Sequence, residues 1–279
     1  MKVENLYDLL LKCDHKVSTD TRNIIKESIF FALKGKNFNG NNFAVEALKN
    51  GARYCIVDSK NISILDDRII LVDDVLKTLQ KLSKYNRNQC SCYVIGLTGS
   101  NGKTTTKELI HQVLRINYNT ISTNGNYNNH IGVPLSLLQI KPSTEFAVIE
   151  MGANNFGEIK FLAELVQPDI GYITNFGLAH LEGFKDLNGV IRGKTELYDW
   201  LIKNNKEILI NNNDDEQRKF IGDKTVLFGK DDNSHYQFEQ IKSNHVKLKI
   251  NDLIIETQLY GNYNFSNVCA AITLGLENK

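Results

Sequence analysis

No stretch of this 279-residue sequence approaches 18 uninterrupted apolar residues, so nothing in it reads as a membrane-spanning helix. The opening residues, Met1-Lys2-Val3-Glu4-Asn5-Leu6, lack the apolar core of a signal peptide. Net charge is missing too. The 33 lysines and arginines are balanced by 32 aspartates and glutamates, which excludes an overall field able to draw the chain onto nucleic acid or an anionic membrane. The five cysteines, an odd number, include no Cys-x-x-Cys pair, and Cys90-Ser91-Cys92 is a poor zinc spacing. Cys13, Cys55, Cys90, Cys92 and Cys269 therefore read as reduced thiols, and the expectation is a soluble, cytoplasmic chain that is not exported. Internal repeats and low-complexity segments are also absent. What the sequence does have is length, enough for about two domains and a substantial core.

Patterning divides that length. Residues 1 to about 80 read as a small α/β unit: an amphipathic helix on Leu6, Leu9 and Leu10, a strand over 29–33, a helix over 43–48 stopped by Gly51, and a strand over 54–57. The polar run 81–92 loses its apolar periodicity and is the expected boundary, giving domains of 1–85 and 86–279. From Tyr93, buried-type strands at 93–97, 146–151, 170–175 and 207–211 alternate with helices at 105–115, 156–166 and around 194–202. That alternation predicts an α/β fold with a doubly wound, mostly parallel sheet. Alternation between Thr225 and Leu259, with Val246, Leu248 and Ile250 on one face and a turn at Asn251-Asp252, predicts a small antiparallel subsheet. A last helix opens at Asn264 to Asn267.

One loop carries the chemistry. Tyr93-Val94-Ile95 leads into Gly96-Leu97-Thr98-Gly99-Ser100-Asn101-Gly102-Lys103-Thr104-Thr105-Thr106, a glycine-rich segment entering a helix. Glycines let backbone N–H groups turn toward an anion, the helix start adds a positive dipole end, Lys103 supplies a charge and Thr104 a hydroxyl for Mg²⁺. Leu97 stands where G-x-x-x-x-G-K-[ST] has its first glycine, so the loop is a variant form. Glu150 and Asn175 lie at the carboxyl ends of two parallel strands, where such sheets bind ligands, and should face the same crevice.

Four further stretches accompany the loop: Thr123-Asn124-Gly125-Asn126-Tyr127-Asn128-Asn129-His130-Ile131-Gly132-Val133-Pro134, Glu150-Met151-Gly152-Ala153, Asn175 through Glu182, and Gly193-Lys194-Thr195-Glu196. With Gly99 to Thr104 they resemble the Mur ligases, which use ATP to activate a carboxylate for amide formation in bacterial cell-wall precursors. Glu150-Met151-Gly152-Ala153 followed by Gly157-Glu158-Ile159 is similar to the branch that adds D-alanyl-D-alanine. The stretches 18–22 (Ser-Thr-Asp-Thr-Arg) and 30–40 resemble that branch's uridine-nucleotide domain, so the resemblance spans nearly the whole chain.

The resemblance implies a ligase taking UDP-N-acetylmuramoyl-tripeptide and D-alanyl-D-alanine with ATP and Mg²⁺, acting as a monomer. It places Gly99, Ser100, Asn101, Gly102, Lys103, Thr104 and Thr105 on the phosphates, with Asn128 and Asn129 beside them as neutral donors. Thr104 and Glu150 are implied as Mg²⁺ ligands, and His180 as a ligand of a second Mg²⁺. Lys194 corresponds to a lysine carried as a carbamate, although Gly193 precedes it where alanine is usual. Asn264 and Asn267 are the implied adenine contacts, in a turn where Tyr263 replaces a common histidine. Thr19, Asp20, Arg22, Asn39 and Gly40 are the implied uridine-substrate residues. A C-terminal domain that the family carries is not encoded here, so the chain is expected to be truncated, keeping the nucleotide site but ligating poorly.

Ordinary explanations stand beside each of these. Singly, Glu150 reads as a surface carboxylate, His180 as a loop histidine, Lys194 as a solvated helix charge and the asparagine run as a turn cluster. Asp20 and Arg22 read as a surface ion pair, and Trp200, spaced with Leu197 and Leu201, as core packing. His15, His111, His235 and His245 have no companion ligands. Another Mur-type or folylpolyglutamate-type ligase, and a non-catalytic nucleotide-binding regulator, remain as alternatives. A P-loop GTPase or kinase is disfavoured by Leu97.

Overall fold

The computed structural model describes residues 1–60 and 66–278, and it divides into two compact units. The first comprises Met1–Ser91 with His130–Pro142. Its sheet has the order β1 (Val17–Ser18), β2 (Ile29–Phe31), β5 (Tyr54–Val57), β6 (Ile69–Leu71), parallel at every pairing. β3 (Lys34–Gly35) and β4 (Phe38–Asn39) form a hairpin after β2. Helices α1 (Val3–Lys12), α2 (Ala44–Lys49), α3 (Val75–Gln89) and α5 (Gly132–Leu138) complete the unit. Side chains alternate across a strand, so Ile29 and Phe31 join Leu10, Ile56, Leu79 and Leu138 on one face, while Phe30 joins Ala44, Ala47 and Cys55 on the other. A strand covered on both faces reads as an unbroken apolar run.

Two features of this unit depart from the sequence reading. The polar run at 81–92 is mostly the second half of α3, where Leu82, Ser83, Asn86 and Arg87 are buried. Asn86 donates its side-chain amide to the carbonyls of Leu137 (2.8 Å), in the last turn of α5, and Ile140 (3.1 Å), just beyond it. A buried polar residue with a specific partner has no apolar signature, which is why the apolar periodicity is lost there. The second departure is that residues 130–142 belong to this unit, with Leu135 and Leu138 in its core, although the sequence places them within 86–279.

The second unit comprises Cys92–Asn129 and Ser143–Lys279. Its seven strands are β7 (Tyr93–Thr98), β8 (Thr120–Ser122), β9 (Phe146–Glu150), β10 (Ile170–Ile173), β11 (Glu207–Asn211), β12 (Thr225–Gly229) and β13 (Tyr236–Gln237). They are ordered β13-β12-β11-β10-β7-β9-β8 and parallel throughout. The chain lays β8 and β9 to one side of β7 and β10 onward to the other, so the segment leaving β7 sits where the order reverses, the usual ligand crevice of such sheets. The helices are α4 (Lys103–Leu114), α6 (Glu158–Val166), α7 (Leu181–Phe184), α8 (Leu187–Lys203), α9 (Asp215–Arg218) and α10 (Asn264–Glu277). Ile110 and Leu114 of α4 share a core with Phe265, Val268 and Leu274 of α10 and with Ile95, Leu97 and Val148 of the sheet.

The antiparallel subsheet is smaller than its expected span. It consists of β14 (Glu239–Ile241), β15 (His245–Ile250) and β16 (Leu253–Tyr260), with Asn251 at φ +51° in the β15–β16 turn. Residues 225–229 instead extend the parallel sheet, because all of Val226 to Gly229 are buried rather than alternately exposed. Helix α8 starts earlier than expected, at Leu187, where the Asp186 carboxylate accepts the Gly189 N–H at 2.7 Å. Gly189 and Gly193 weaken the helix signal in its first turns. Both are needed for packing: a Cβ on Gly189 would lie 1.8 Å from the Phe184 carbonyl oxygen, and one on Gly193 would lie 2.3 Å from the Phe184 ring. Leu197 and Leu201 are buried and Trp200 is half-buried.

Candidate functional site

Helix α4 begins where β7 ends, and the four residues between them are tied down from below. The Asn175 carbonyl accepts the Ser100 N–H (3.1 Å), and its side chain both accepts the Asn101 N–H (3.1 Å) and donates to the Asn101 carbonyl (2.9 Å). Thr174 donates to that same carbonyl at 2.6 Å, and Ser100 donates to the Gly177 carbonyl at 2.9 Å. These contacts make Asn175, placed at a strand end by the sequence, a rigid support of the loop. Gly99 has φ +145°, and a Cβ there would fall 2.0 Å from the Thr174 hydroxyl oxygen. Only glycine allows this approach. Gly102, at φ +76°, precedes the helix, and the first-turn N–H groups of Lys103, Thr104 and Thr105 have no helical acceptor ahead of them, which makes the helix start an anion seat.

Lys103 folds back over this loop, donating to the carbonyls of Gly99 (2.9 Å) and Ser100 (3.1 Å). Burial lowers its pKa, opposed by the negative charge of Glu150. Glu150 closes the end of β9 and is 1% exposed. Its Oε2 accepts from the Thr104 hydroxyl at 3.1 Å and its Oε1 from the Asn128 amide at 2.8 Å. A carboxylate and a hydroxyl side by side at a helix start are hard oxygen donors. They suit Mg²⁺, which is usually held by one or two protein carboxylates and completes its shell with phosphates and water. No group of three or more His, Cys, Asp or Glu able to hold a metal occurs among the described residues, so this pair is not part of a larger protein cage. The Asn128 carbonyl accepts the Gly152 N–H at 2.7 Å, and a Cβ on Gly152 would come within 2.8 Å of the Asn128 amide.

The other expected residues differ in their surroundings. Lys194 is 1% exposed; it donates to the Ala153 carbonyl at 3.3 Å and lies 5.4 Å from the Phe184 ring centroid. Burial pulls its pKa down to about 8, and the positive charge of Lys103 adds to the effect against Glu158 and Glu196. Glu196, two residues on, accepts the N–H groups of Gly157 (2.6 Å) and Lys160 (3.0 Å), so α8 grips the segment after β9 at two points. Asn264 and Asn267 are buried and bonded to one another at 2.9 Å, with Asn267 packed against Gly102. His180 is different. It is exposed at φ +55°, and no hydrogen bond from its ring occurs among the described residues, so the structure does not join it to Thr104 and Glu150. Asn129 is exposed beside Asn128, and Tyr263 is 78% exposed.

In the first unit, Thr19 and Asp20 follow β1, while Asn39 ends the hairpin after β2 and Gly40 follows it, all beyond carboxyl ends of parallel strands. Asp20 caps a short turn, bonding the Arg22 N–H and guanidinium, which holds its carboxyl down at about 2. Asn39 accepts from Asn41 through both N–H and side-chain amide (3.1 and 2.8 Å), and a Cβ on Gly40 would lie 2.5 Å from the Leu33 carbonyl oxygen. Asp58, after β5, accepts from Lys34 (2.8 Å) and Asn41 (2.9 Å), tying the end of β5 to the hairpin segment after β2. Sequence reasoning passed over Asp58, Thr174 and Lys107. Each is a common residue in an unremarked context, and only strand-end placement for the first two, or complete burial for Lys107, gives it away.

Residues 97–275 match the Mur ligase middle domain, and residues 15–87 match the Mur ligase family catalytic domain. UDP-N-acetylmuramoyl-tripeptide--D-alanyl-D-alanine ligase of Bacillus subtilis is 35% identical over 94% of this chain and 58% of its own length. The enzyme of that name from Escherichia coli is 40% identical over 71% of this chain and 44% of its own. Among solved structures, MurF from Acinetobacter baumannii superposes with a TM-score of 0.81 at 30% identity, covering 94% of this chain and 59% of that one. MurF ligase from Thermotoga maritima in complex with ADP gives 0.80 at 30% identity, covering all of this chain and 64% of that one. The chain thus spans about half of the curated relatives it matches. With a family match over most of its length, laid on the loop, strand ends and helix start described above, the chain belongs to the Mur ligase family.

Proposed function

We propose that this chain provides the nucleotide and carboxylate side of an ATP-dependent amide ligase that joins D-alanyl-D-alanine to UDP-N-acetylmuramoyl-tripeptide. The observation that carries the reading is the meeting of Thr104 and Glu150 at 3.1 Å over the start of α4, directly after the glycine loop. In this reading the first unit, expected as 1–85, is the uridine-substrate domain, with Thr19, Asp20, Arg22, Asn39 and Gly40 on the substrate, and the second unit, expected within 86–279, is the ATP-binding domain. Gly99 to Thr105 and the Asn128–Asn129 pair receive the phosphates. Asn264 and Asn267 are the adenine-side contacts.

ATP and a carboxylate repel one another, so the first task of the site is neutralisation and alignment. Lys103 contributes a desolvated charge beside the helix start, where low polarity strengthens it. Thr104 and Glu150 would hold Mg²⁺, which when bound offsets phosphate charge, and His180 is the proposed ligand for a second ion. Lys194 is suited to carbamate formation: a pKa near 8 leaves part of the amine neutral at physiological pH, and only the neutral nitrogen attacks CO₂. The ammonium first gives up one proton, the neutral nitrogen forms the C–N bond as one C=O π bond of CO₂ opens onto oxygen, a second proton leaves to solvent, and the former cation is an anionic oxygen donor. The terminal carboxylate of the tripeptide is then phosphorylated, the amine of D-alanyl-D-alanine attacks the acyl phosphate, and the amide, ADP and phosphate result.

The test is product identification. With ATP, Mg²⁺ and UDP-N-acetylmuramoyl-tripeptide, and with the C-terminal part of a relative supplied, mass spectrometry should find the pentapeptide product when D-alanyl-D-alanine is the amine. Amide formation with a single amino acid instead points to another Mur-type step. Binding of both nucleotides with no ADP release, when the protein is supplied with the C-terminal part of a relative, points to a regulator.

A further inference from the structure

Lys107 lies in the second turn of α4 and its side chain is completely buried. Burial removes the hydration of an ammonium there, so its polar partners must replace it. Its Nζ donates to the Thr123 carbonyl at 2.6 Å and lies 2.8 Å from the half-exposed Glu108 carboxylate. Thr123 is itself buried just after β8; its N–H bonds the Val148 carbonyl at 3.0 Å, continuing the ladder with β9. Its hydroxyl accepts the N–H of Glu150 at 3.0 Å. The Glu150 carboxylate then meets Thr104 and Asn128. Thr104 and Lys107 are three residues apart on α4 and share a face. The helix therefore grips Glu150 twice, at its carboxylate through Thr104 and at its backbone through Lys107 and Thr123.

We propose that Lys107 and Thr123 are positioning residues that fix the end of β8 against the end of β9 and so set where the Glu150 carboxylate faces Thr104. The proposal rests on the reading of Glu150 as a Mg²⁺ ligand. Outer contacts of a metal-binding carboxylate typically govern metal affinity by about 10- to 100-fold. A scaffold role alone would lower stability without changing the metal requirement selectively.

The experiment titrates Mg²⁺ into the protein with a fluorescent ATP analogue and reads nucleotide binding, with a parallel series in EDTA. Thr123→Val and Lys107→Met should each raise the Mg²⁺ concentration for half-maximal effect about tenfold, leaving binding in EDTA within about twofold. Thr123→Ser, which keeps the hydroxyl, should behave as the parent. An unchanged Mg²⁺ requirement in Thr123→Val and Lys107→Met, with Glu150→Gln shifted, overturns the proposal and leaves the metal reading standing. An unshifted Glu150→Gln overturns the metal reading itself. Equal loss in EDTA and in Mg²⁺ across both variants overturns the positioning role in favour of a scaffold. If Lys107→Met fails to fold, the comparison of Thr123→Val with Thr123→Ser decides.

Discussion

Replacing Lys194 by methionine should stabilise this protein at neutral pH, an unusual outcome for a residue beside an active site. In the unfolded chain the amine holds its proton to about 10.5, whereas in the fold it releases it near 8. Below about pH 8 both states are protonated and the fold carries the whole burden of a buried charge. Between 8 and 10.5 the unfolded chain binds more protons, so stability rises with pH, and above that range the burden is gone. The drop from 10.5 to about 8 corresponds to about 3 kcal/mol against the charged form at pH 7. Methionine fills similar volume but gives up the 3.3 Å bond to Ala153, about 1 kcal/mol, so the net gain should be about 2 kcal/mol. Urea unfolding in CO₂-free buffer at pH 7, 8.5 and 10 measures it. The single tryptophan, Trp200, lies on the same helix and reports that unit's transition. The advantage of Lys194→Met should shrink with rising pH and vanish by about 10. A variant less stable than the parent at pH 7, or a gap independent of pH, refutes the reasoning.

Glycine positions give two sharper expectations. Gly99→Ala puts a methyl 2.0 Å from the Thr174 hydroxyl oxygen at φ +145°, and should weaken binding of a fluorescent ATP analogue at least about tenfold, while Gly222→Ala, with nothing within 4 Å, should leave it unchanged. Gly193→Ala restores the alanine usual before the lysine in this family, yet drives a Cβ to 2.3 Å from the Phe184 ring; thermal unfolding should show a loss of about 1–3 kcal/mol, largely recovered when Phe184→Leu is added. Asp20→Asn removes an exposed local pair with Arg22, so it should barely move the denaturation midpoint while weakening binding of UDP-N-acetylmuramoyl-tripeptide in a calorimetric titration.

The parts legible in the sequence were those with a strong local signature. The loop from Gly99 to Thr104 announced itself because a backbone turning on an anion needs glycine, and Glu150 and Asn175 because buried parallel strands end abruptly at polar residues. Thr104 and Glu150, 46 positions apart and named by family resemblance as Mg²⁺ ligands, lie 3.1 Å from one another in the fold. What stayed hidden was carried by buried polar contacts across long separations. Asn86 reaches α5, Lys107 reaches Thr123, and Asp58 reaches Asn41, and none of these has a periodicity to betray it. Gly193 illustrates the same limit: in sequence it looked like a departure from pattern, and in the fold it is room for Phe184.

The most direct test of the central claim follows oxygen. UDP-N-acetylmuramoyl-tripeptide labelled with ¹⁸O in its terminal carboxylate is turned over with ATP, Mg²⁺ and D-alanyl-D-alanine by the protein supplied with the C-terminal part of a relative, and the released phosphate is analysed by ³¹P NMR. If the site phosphorylates that carboxylate, each phosphate carries one ¹⁸O from the peptide. Pentapeptide formation with unlabelled phosphate would contradict the account.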